Sequence, residues 1–155
     1  MKSTALERCA IALLGLAVAL VFSAGAIADA ASPVGKWKTI DDETGKVKSI
    51  VVISDASGEL QAMVEKVFSP PAESENPVCD KCEGERKDKP VIGMVILWGL
   101  KKSADREYTG GQVLDPAKGK IYKAKLTISE DGKKLEMRGF IGFSLIGRTQ
   151  TWVRE

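Results

Sequence analysis

The sequence of 155 residues contains no histidine. Histidine is the base in Ser-His-Asp and Cys-His catalysis, the usual acid or base near neutral pH, and the commonest metal ligand. Its absence removes those mechanisms, although carboxylates, lysine and tyrosine could still support an enzyme. We therefore expect a protein that is not an enzyme and that uses neither a cofactor nor a metal ion.

The sequence also lacks a strong excess of either charge. It has 23 Lys and Arg residues against 21 Asp and Glu residues, which gives a formal net charge of +2 at pH 7. Nucleic-acid binding depends on a basic face that neutralises phosphates, whereas these charges of both signs are interspersed. A nucleic-acid partner is therefore not expected.

The longest apolar run lies at the N-terminus. Lys2 and Arg8 give this end a positive charge, the apolar segment 9–22 follows, and small residues come next. The run is shorter than the ~20 residues that a membrane-spanning helix needs. Charge, length and order together predict a helical secretory signal peptide over residues 1–28.

The expected cleavage site has the A-x-A form that signal peptidase recognises. Cleavage after Ala28 uses Ala26-Ile-Ala28, and cleavage after Ala30 is the second candidate. The remaining domain, residues 29–155, is then predicted to be periplasmic or secreted and to contain no membrane span.

Cysteine is scarce, and only two of the three cysteines lie in the mature domain. Cys9 leaves with the signal, which keeps the pair in Cys79-Asp-Lys-Cys82. Two close cysteines in an oxidising compartment usually pair, so we favour a disulfide that tightens the surrounding loop. A redox couple is less favoured because no βαβ pattern surrounds the pair. A zinc site is least favoured because structural zinc needs four ligands.

A long helical periodicity is also missing after the signal. Short β-favouring runs alternate with Gly, Asp and Pro turn signals, which is typical of an all-β protein. The segment 69–90 contains four prolines, and this composition predicts a long loop. The predicted strands are 36–40, 47–54, 59–68, 91–100, 106–114, 120–129, 134–141 and 148–154.

Eight sequential strands must hide their edges by closing into a barrel or stacking into a sandwich. Glycines inside several runs, such as Gly99 and Gly111, favour the bends of a small barrel. We therefore predict an eight-stranded antiparallel up-and-down barrel. A barrel of this size is filled by its own side chains or holds one small ligand.

The two ends of the domain carry matching motifs. Gly35-Lys-Trp37 opens the first strand, and Trp152-Val-Arg154 closes the last. This arrangement resembles the lipocalin superfamily, which has G-x-W on its first strand and a late arginine that packs over that tryptophan. The resemblance implies that Trp37 and Arg154 meet where the barrel closes, in a cation–π contact worth ~0.5–2 kcal/mol.

Further motifs cover almost all of the mature domain. In chain order they are Gly35-Lys-Trp37, Cys79-Asp-Lys-Cys82, 93–100, 111–116, 119–122, 138–142 and 147–154. Together they resemble the bacterial family of small exported proteins known as domain of unknown function 2147. The resemblance implies a lipocalin-like barrel and no assigned activity.

Six residues at predicted interior positions are candidate ligand contacts. Tyrosine and tryptophan place a polar tip inside an apolar cup, which suits an amphipathic ligand. Plain barrel core is the alternative for each residue, because filled and hollow barrels share the same alternation. Three of the six, Met94, Ile96 and Trp98, alternate along one predicted strand and so are expected to point to the same side. The candidates are Met94, Ile96, Trp98, Tyr122, Leu126 and Met137.

The sequence thus favours an exported, non-enzymatic barrel that binds a small apolar or amphipathic molecule, with the 69–90 loop near its mouth. The first alternative is a structural or interaction protein of the cell envelope with a filled core. The second is a thiol oxidoreductase that uses Cys79 and Cys82.

Overall fold

A computed structural model describes residues 32–68, 74 and 76–155. The predicted signal peptide 1–28, its helix and both predicted cleavage sites lie outside the described residues. The described elements are β1 (Gly35–Ile40), β2 (Val47–Ala56), β3 (Glu59–Val67), a single 3₁₀ turn (Gly84–Arg86), β4 (Val95–Ala104), β5 (Glu107–Asp115), β6 (Lys120–Ile128), β7 (Lys134–Phe140) and β8 (Gly147–Arg154).

The eight strands form one closed antiparallel barrel in chain order. Each strand pairs with the next, and β8 returns to pair with β1. The closing pairs join Trp37 to Arg154 and Thr39 to Trp152. The predicted eight-stranded up-and-down barrel is therefore confirmed.

Alternation along the strands sends one set of side chains inward. On β6, Ala124, Leu126 and Ile128 are buried, while the residues between them are partly exposed. The inward residues of neighbouring strands pack into one core. Its largest fully buried members include Trp37 and Trp152, so the two predicted end motifs contribute the bulkiest side chains of the interior.

The fourth strand begins later than the predicted run 91–100. The chain turns at Gly93, which has a φ of 86°, and the Met94 amide donates a hydrogen bond to the Val91 carbonyl oxygen. Val91 and Met94 are apolar because they pack in the core cluster together with the two cysteines. The strand then continues through the exposed residues 101–104. The predicted strand ended before them because this segment is mainly polar.

An irregularity in β4 overturns the predicted shared parity of Met94, Ile96 and Trp98. Ala62 pairs with Leu97 and Met63 with Val95, so Ile96 is an extra residue and is buried together with Leu97. A bulge of this kind breaks the two-residue period of a strand. Trp98 consequently faces the outside of the barrel, where its Nε1 donates to Gln112 Oε1 at 3.0 Å.

Arg154 closes one end of the barrel over Trp37. Its guanidinium carbon lies 4.3 Å from the centre of the Trp37 ring. Its nitrogens donate to the carbonyl oxygens of Gly132 at 2.7 Å, Ser32 at 2.7 Å and Val34 at 3.1 Å. One side chain therefore fastens the segment before β1, the β6–β7 turn and the last strand together.

We expect Arg154→Ala to lower the free energy of unfolding by about 2–3 kcal/mol, because it removes a cation–π contact and charge-assisted hydrogen bonds. Arg154→Lys keeps the charge but loses the planar set of donors, so an intermediate loss is expected. Urea denaturation measures both variants.

The matched control is Lys101→Ala, which breaks an exposed ion pair with Glu59. Exposed pairs contribute about 0–1 kcal/mol, so this variant is expected to stay close to the wild type. An Arg154→Ala variant as stable as Lys101→Ala would contradict the closing role.

Candidate functional site

The barrel end opposite Arg154 opens into a cavity of about 460 Å³. Three loops surround the opening: the β1–β2 loop (41–46), the β5–β6 loop (116–119) and the β7–β8 loop (141–146). The antiparallel order brings these loops to the same end because each follows a strand that runs in the same direction. The cavity is therefore built from strand ends and from the loops that follow them.

The inner wall of the cavity is mainly apolar. Gly139 on β7 keeps space open, because a Cβ atom at this position would lie next to Val113 and Tyr122. Trp152, which pairs with Thr39 across the β1–β8 closure, lies at the inner end. The apolar lining residues of this wall are Ile96, Val113, Tyr122, Met137 and Trp152.

A small cluster of polar side chains lies among these apolar side chains. The hydroxyl oxygens of Thr39 and Ser49 are 2.6 Å apart and share a hydrogen bond, and the half-buried Gln150 lies two residues before Trp152 on β8. Trp152 is only 1% exposed, and its Nε1 has no hydrogen-bond partner among the described residues. Buried polar groups are normally paired, so this nitrogen is an exception, and it belongs to a residue that lines the cavity.

Every charged residue that lines the cavity lies at the rim rather than on the inner wall. Arg148 donates to Asp42 Oδ2 through Nε at 2.8 Å and approaches the same oxygen through Nη2 at 2.6 Å. This hydrogen bond raises the pKa of Arg148 above its usual value. The pair ties the β1–β2 loop to the start of β8 and neutralises one cation at the opening.

Asp41 fixes the shape of the β1–β2 loop. Its Oδ1 accepts hydrogen bonds from the Thr44 amide at 2.8 Å, the Thr44 hydroxyl at 2.8 Å and the Glu43 amide at 3.2 Å. Donors to the ionised carboxylate favour the charged form. They lower the pKa of Asp41 below its usual value, with the Thr44 amide making the largest contribution.

Because the folded pKa of Asp41 is lowered, this carboxylate stabilises the fold above its unfolded pKa and loses that contribution as pH falls through the folded pKa. Thr44→Val removes one of the donors, so we expect the pKa of Asp41 to rise part of the way toward its usual value. Carboxyl carbon NMR titration measures the change.

Asp131 is the internal reference for this titration. Its pKa is lowered mainly by the Ser129 hydroxyl and the Lys133 amide, which belong to the β6–β7 turn. A pKa of Asp41 that does not move in Thr44→Val, or one that moves equally with Asp131, would contradict the assignment.

Cys79 and Cys82 form a disulfide with their Cα atoms 5.3 Å apart, which is the pairing favoured from the sequence. Both residues are buried. The Cys79 sulfur lies 3.3 Å from the Pro116 carbonyl oxygen. The described part of the predicted 69–90 loop therefore packs on the β5–β6 loop at the open end, although none of its described residues lines the cavity.

Gly119 permits this packing. It has a φ of 66°, and a Cβ atom there would overlap the Lys81 carbonyl group. Gly119→Ala is expected to lower stability by about 1–3 kcal/mol more than a substitution that introduces only left-handed backbone strain. Gly45→Ala supplies that comparison, since Gly45 has a φ of 68° and open space around it. Equal losses in thermal or urea unfolding would contradict close packing at Gly119.

The β7–β8 loop exposes apolar side chains beside the opening. The exposed fractions are 67% for Ile141, 82% for Phe143, 89% for Leu145 and 72% for Ile146. Arg138 fixes the loop, because its guanidinium donates to the carbonyl oxygens of Ser144 at 2.6 Å and Leu145 at 3.2 Å. In the sequence, the uncharged stretch 143–146 between Gly142 and Gly147 marks this loop.

The predicted contact residues divide into two groups. Ile96, Tyr122 and Met137 line the cavity. Leu126 and Met94 are buried in the core cluster and do not line the cavity. Trp98 is on the outer face, where the Arg86 guanidinium lies 4.7 Å from its ring centre.

The lining residues that were not predicted from the sequence include Thr39, Ser49, Gln150 and Trp152. The signal for Thr39, Ser49 and Gln150 is a polar residue at an inward position of β1, β2 and β8, respectively. The inward parity of these strands is set by Trp37, Val51 and Trp152, all of which are buried.

Within residues 32–68, 74 and 76–155, no three His, Cys, Asp or Glu side chains are grouped so that they could hold a metal ion. The same part of the chain contains no helix that is long and apolar enough to cross a membrane.

Comparison with solved structures identifies a similar fold. Protein HP1028 from the human pathogen Helicobacter pylori, described as belonging to the lipocalin family, matches with a TM-score of 0.68. The match covers 80% of this chain and 83% of that chain at 23% sequence identity, so the likeness is one of fold.

No curated protein matches the chain. The model of the family described as "Uncharacterized protein conserved in bacteria (DUF2147)" matches residues 35–154, which run from the start of β1 to the end of β8, and the chain belongs to this family.

Proposed function

We propose that this protein is an exported, non-enzymatic binding protein that holds one small apolar or amphipathic molecule in the open end of its barrel. The observation that carries the proposal is the cavity of about 460 Å³. Ligand pockets usually have volumes of about 300–1,000 Å³ and combine an apolar lining with a few polar groups. This cavity has both properties.

The chemistry of the lining supports binding rather than catalysis. The hydroxyl groups of Thr39 and Ser49 contact each other, and the Thr39 hydroxyl also donates to the Ser49 carbonyl oxygen at 3.4 Å. A nucleophilic hydroxyl needs an adjacent base, and among the described contacts of these two residues there is none. The chain also has no histidine to serve as one.

Export is supported by two independent features. The N-terminal sequence has the order of a secretory signal, and Cys79 and Cys82 are joined in a disulfide. Disulfides persist in oxidising compartments and are rare in the cytosol. We therefore assign the protein to the periplasm or the extracellular space.

A cavity-filling variant tests the binding proposal. Met137 lines the cavity, and in Met137→Trp the larger side chain occupies space that a ligand needs. We expect the variant to bind the neutral fluorescent probe N-phenyl-1-naphthylamine at least about tenfold more weakly than the wild type, which corresponds to about 1.4 kcal/mol. Fluorescence titration measures the affinity, and thermal unfolding confirms that the variant folds.

Met63→Trp is the matched control, because Met63 is 42% exposed on the outside of the barrel. It is expected to bind the probe like the wild type. Equal binding by the wild type and both variants would place the probe outside the cavity. No binding by the wild type would count against the proposal itself.

The exposed β7–β8 loop favours a second candidate function, that of an interaction protein. Four large apolar side chains of this loop face solvent in a conformation fixed by Arg138. Exposed apolar groups that cluster in this way often mark contact sites. In this alternative the loop binds another protein of the same compartment.

Photo-crosslinking in cells tests the alternative. A benzoylphenylalanine at Phe143 is expected to give one discrete protein adduct, whereas the same residue at the exposed Lys102 of β4 is expected to give none. The absence of an adduct at position 143, or identical adducts at both positions, would exclude this loop as a specific contact.

A further inference from the structure

We infer that the ligand carries an uncharged hydrogen-bond acceptor that binds the indole N–H of Trp152 at the inner end of the cavity. The inference rests on the proposed binding function and specifies the chemical class of the ligand. It predicts a molecule with an apolar body and one buried hydroxyl, ketone, ester or amide oxygen.

Trp152 differs from the other two tryptophans in its hydrogen bonding. The Trp37 Nε1 donates to the Pro33 carbonyl oxygen at 2.8 Å, and the Trp98 Nε1 donates to Gln112 at 3.0 Å. The Trp152 Nε1 is buried and has no partner among the described residues. Leaving a buried N–H unpaired is costly, and an acceptor in the adjacent cavity would remove that cost.

The surroundings of Trp152 form a small polar region in an otherwise apolar wall. Thr39 pairs with Trp152 across the β1–β8 closure, and its hydroxyl contacts that of Ser49 at 2.6 Å. Gln150 also lines the cavity. A ligand oxygen that accepts from Trp152 would therefore have further hydrogen-bonding groups nearby, while its apolar part contacts Ile96, Val113 and Met137.

The charge distribution sets the class of the acceptor. An indole N–H can only donate, so the ligand group must accept. The cations that line the cavity are Lys48, Lys118 and Arg148. They belong to the rim, where Arg148 is paired with Asp42 and Lys118 lies 3.6 Å from Asp115. Burying an ionised carboxylate or phosphate without an opposite charge is strongly unfavourable, so a neutral oxygen fits the inner end.

Nitrogen-15 NMR of the three indole groups tests this inference on the full mature chain. Decanol is the neutral acceptor probe, and decane is the probe of equal chain length that has no acceptor. The spectrum of Trp152→Phe identifies the Trp152 signal. Decanol is expected to shift the Trp152 indole proton downfield, because it forms a hydrogen bond there. Decane is expected to cause no such shift, and Trp37 and Trp98 serve as internal references.

Affinities provide a second measurement. Trp152→Phe keeps an aromatic ring at the site but removes the donor, so we expect it to bind decanol about tenfold more weakly and decane with unchanged affinity. Trp98→Phe removes an indole N–H on the outer face and is expected to change neither affinity. The decane comparison separates loss of the hydrogen bond from a change in packing.

The possible outcomes distinguish the inference from the function on which it rests. If both probes bind the wild type and Met137→Trp excludes them, but decanol neither shifts the Trp152 signal nor loses affinity in Trp152→Phe, the inference is overturned and the binding function stands. If neither probe binds the wild type, the proposed binding function is overturned together with the inference.

Discussion

The structure depends on the closure of β1 against β8. Arg154 lies over Trp37 and binds three carbonyl oxygens, two from the segment before β1 and one from the β6–β7 turn. It therefore fixes both ends of the domain at one end of the barrel. The same closure pairs Thr39 with Trp152. The polar inner end of the cavity therefore exists only because residues from the first and last strands are brought together.

The strand pattern and the closed end could be predicted from the sequence because they depend on local alternation and on turn residues. The lipocalin-like end motifs also led to the contact between Trp37 and Arg154. The start of β4 could not be predicted, because a continuous apolar run such as 91–100 does not distinguish a strand from a buried turn. The bulge at Ile96 could not be recognised in the sequence either. Because of it, Trp98 lies on the outer face of the barrel and not at the predicted interior position.

Whether the barrel is filled or hollow is decided by side-chain volume rather than by periodicity. Large side chains such as Leu60, Leu126 and Leu135 fill the core. The open end instead has Thr39, Ser49 and Gly139 at positions that line the cavity. Small and polar residues at inward positions therefore mark the cavity. Of the two aromatic candidates, only Tyr122 lines it. The rim was also missed, since its charged residues resemble an ordinary solvated surface.

The central claim is that the open end of the barrel holds a small molecule. Native mass spectrometry of the protein purified from its own cells tests this claim most directly. We expect a fraction of the protein with a mass above that of the polypeptide by one uncharged small molecule, and we expect Met137→Trp prepared in the same way to lack it. The bare polypeptide mass for both proteins, together with no uptake of decanol by the wild type, would contradict the account.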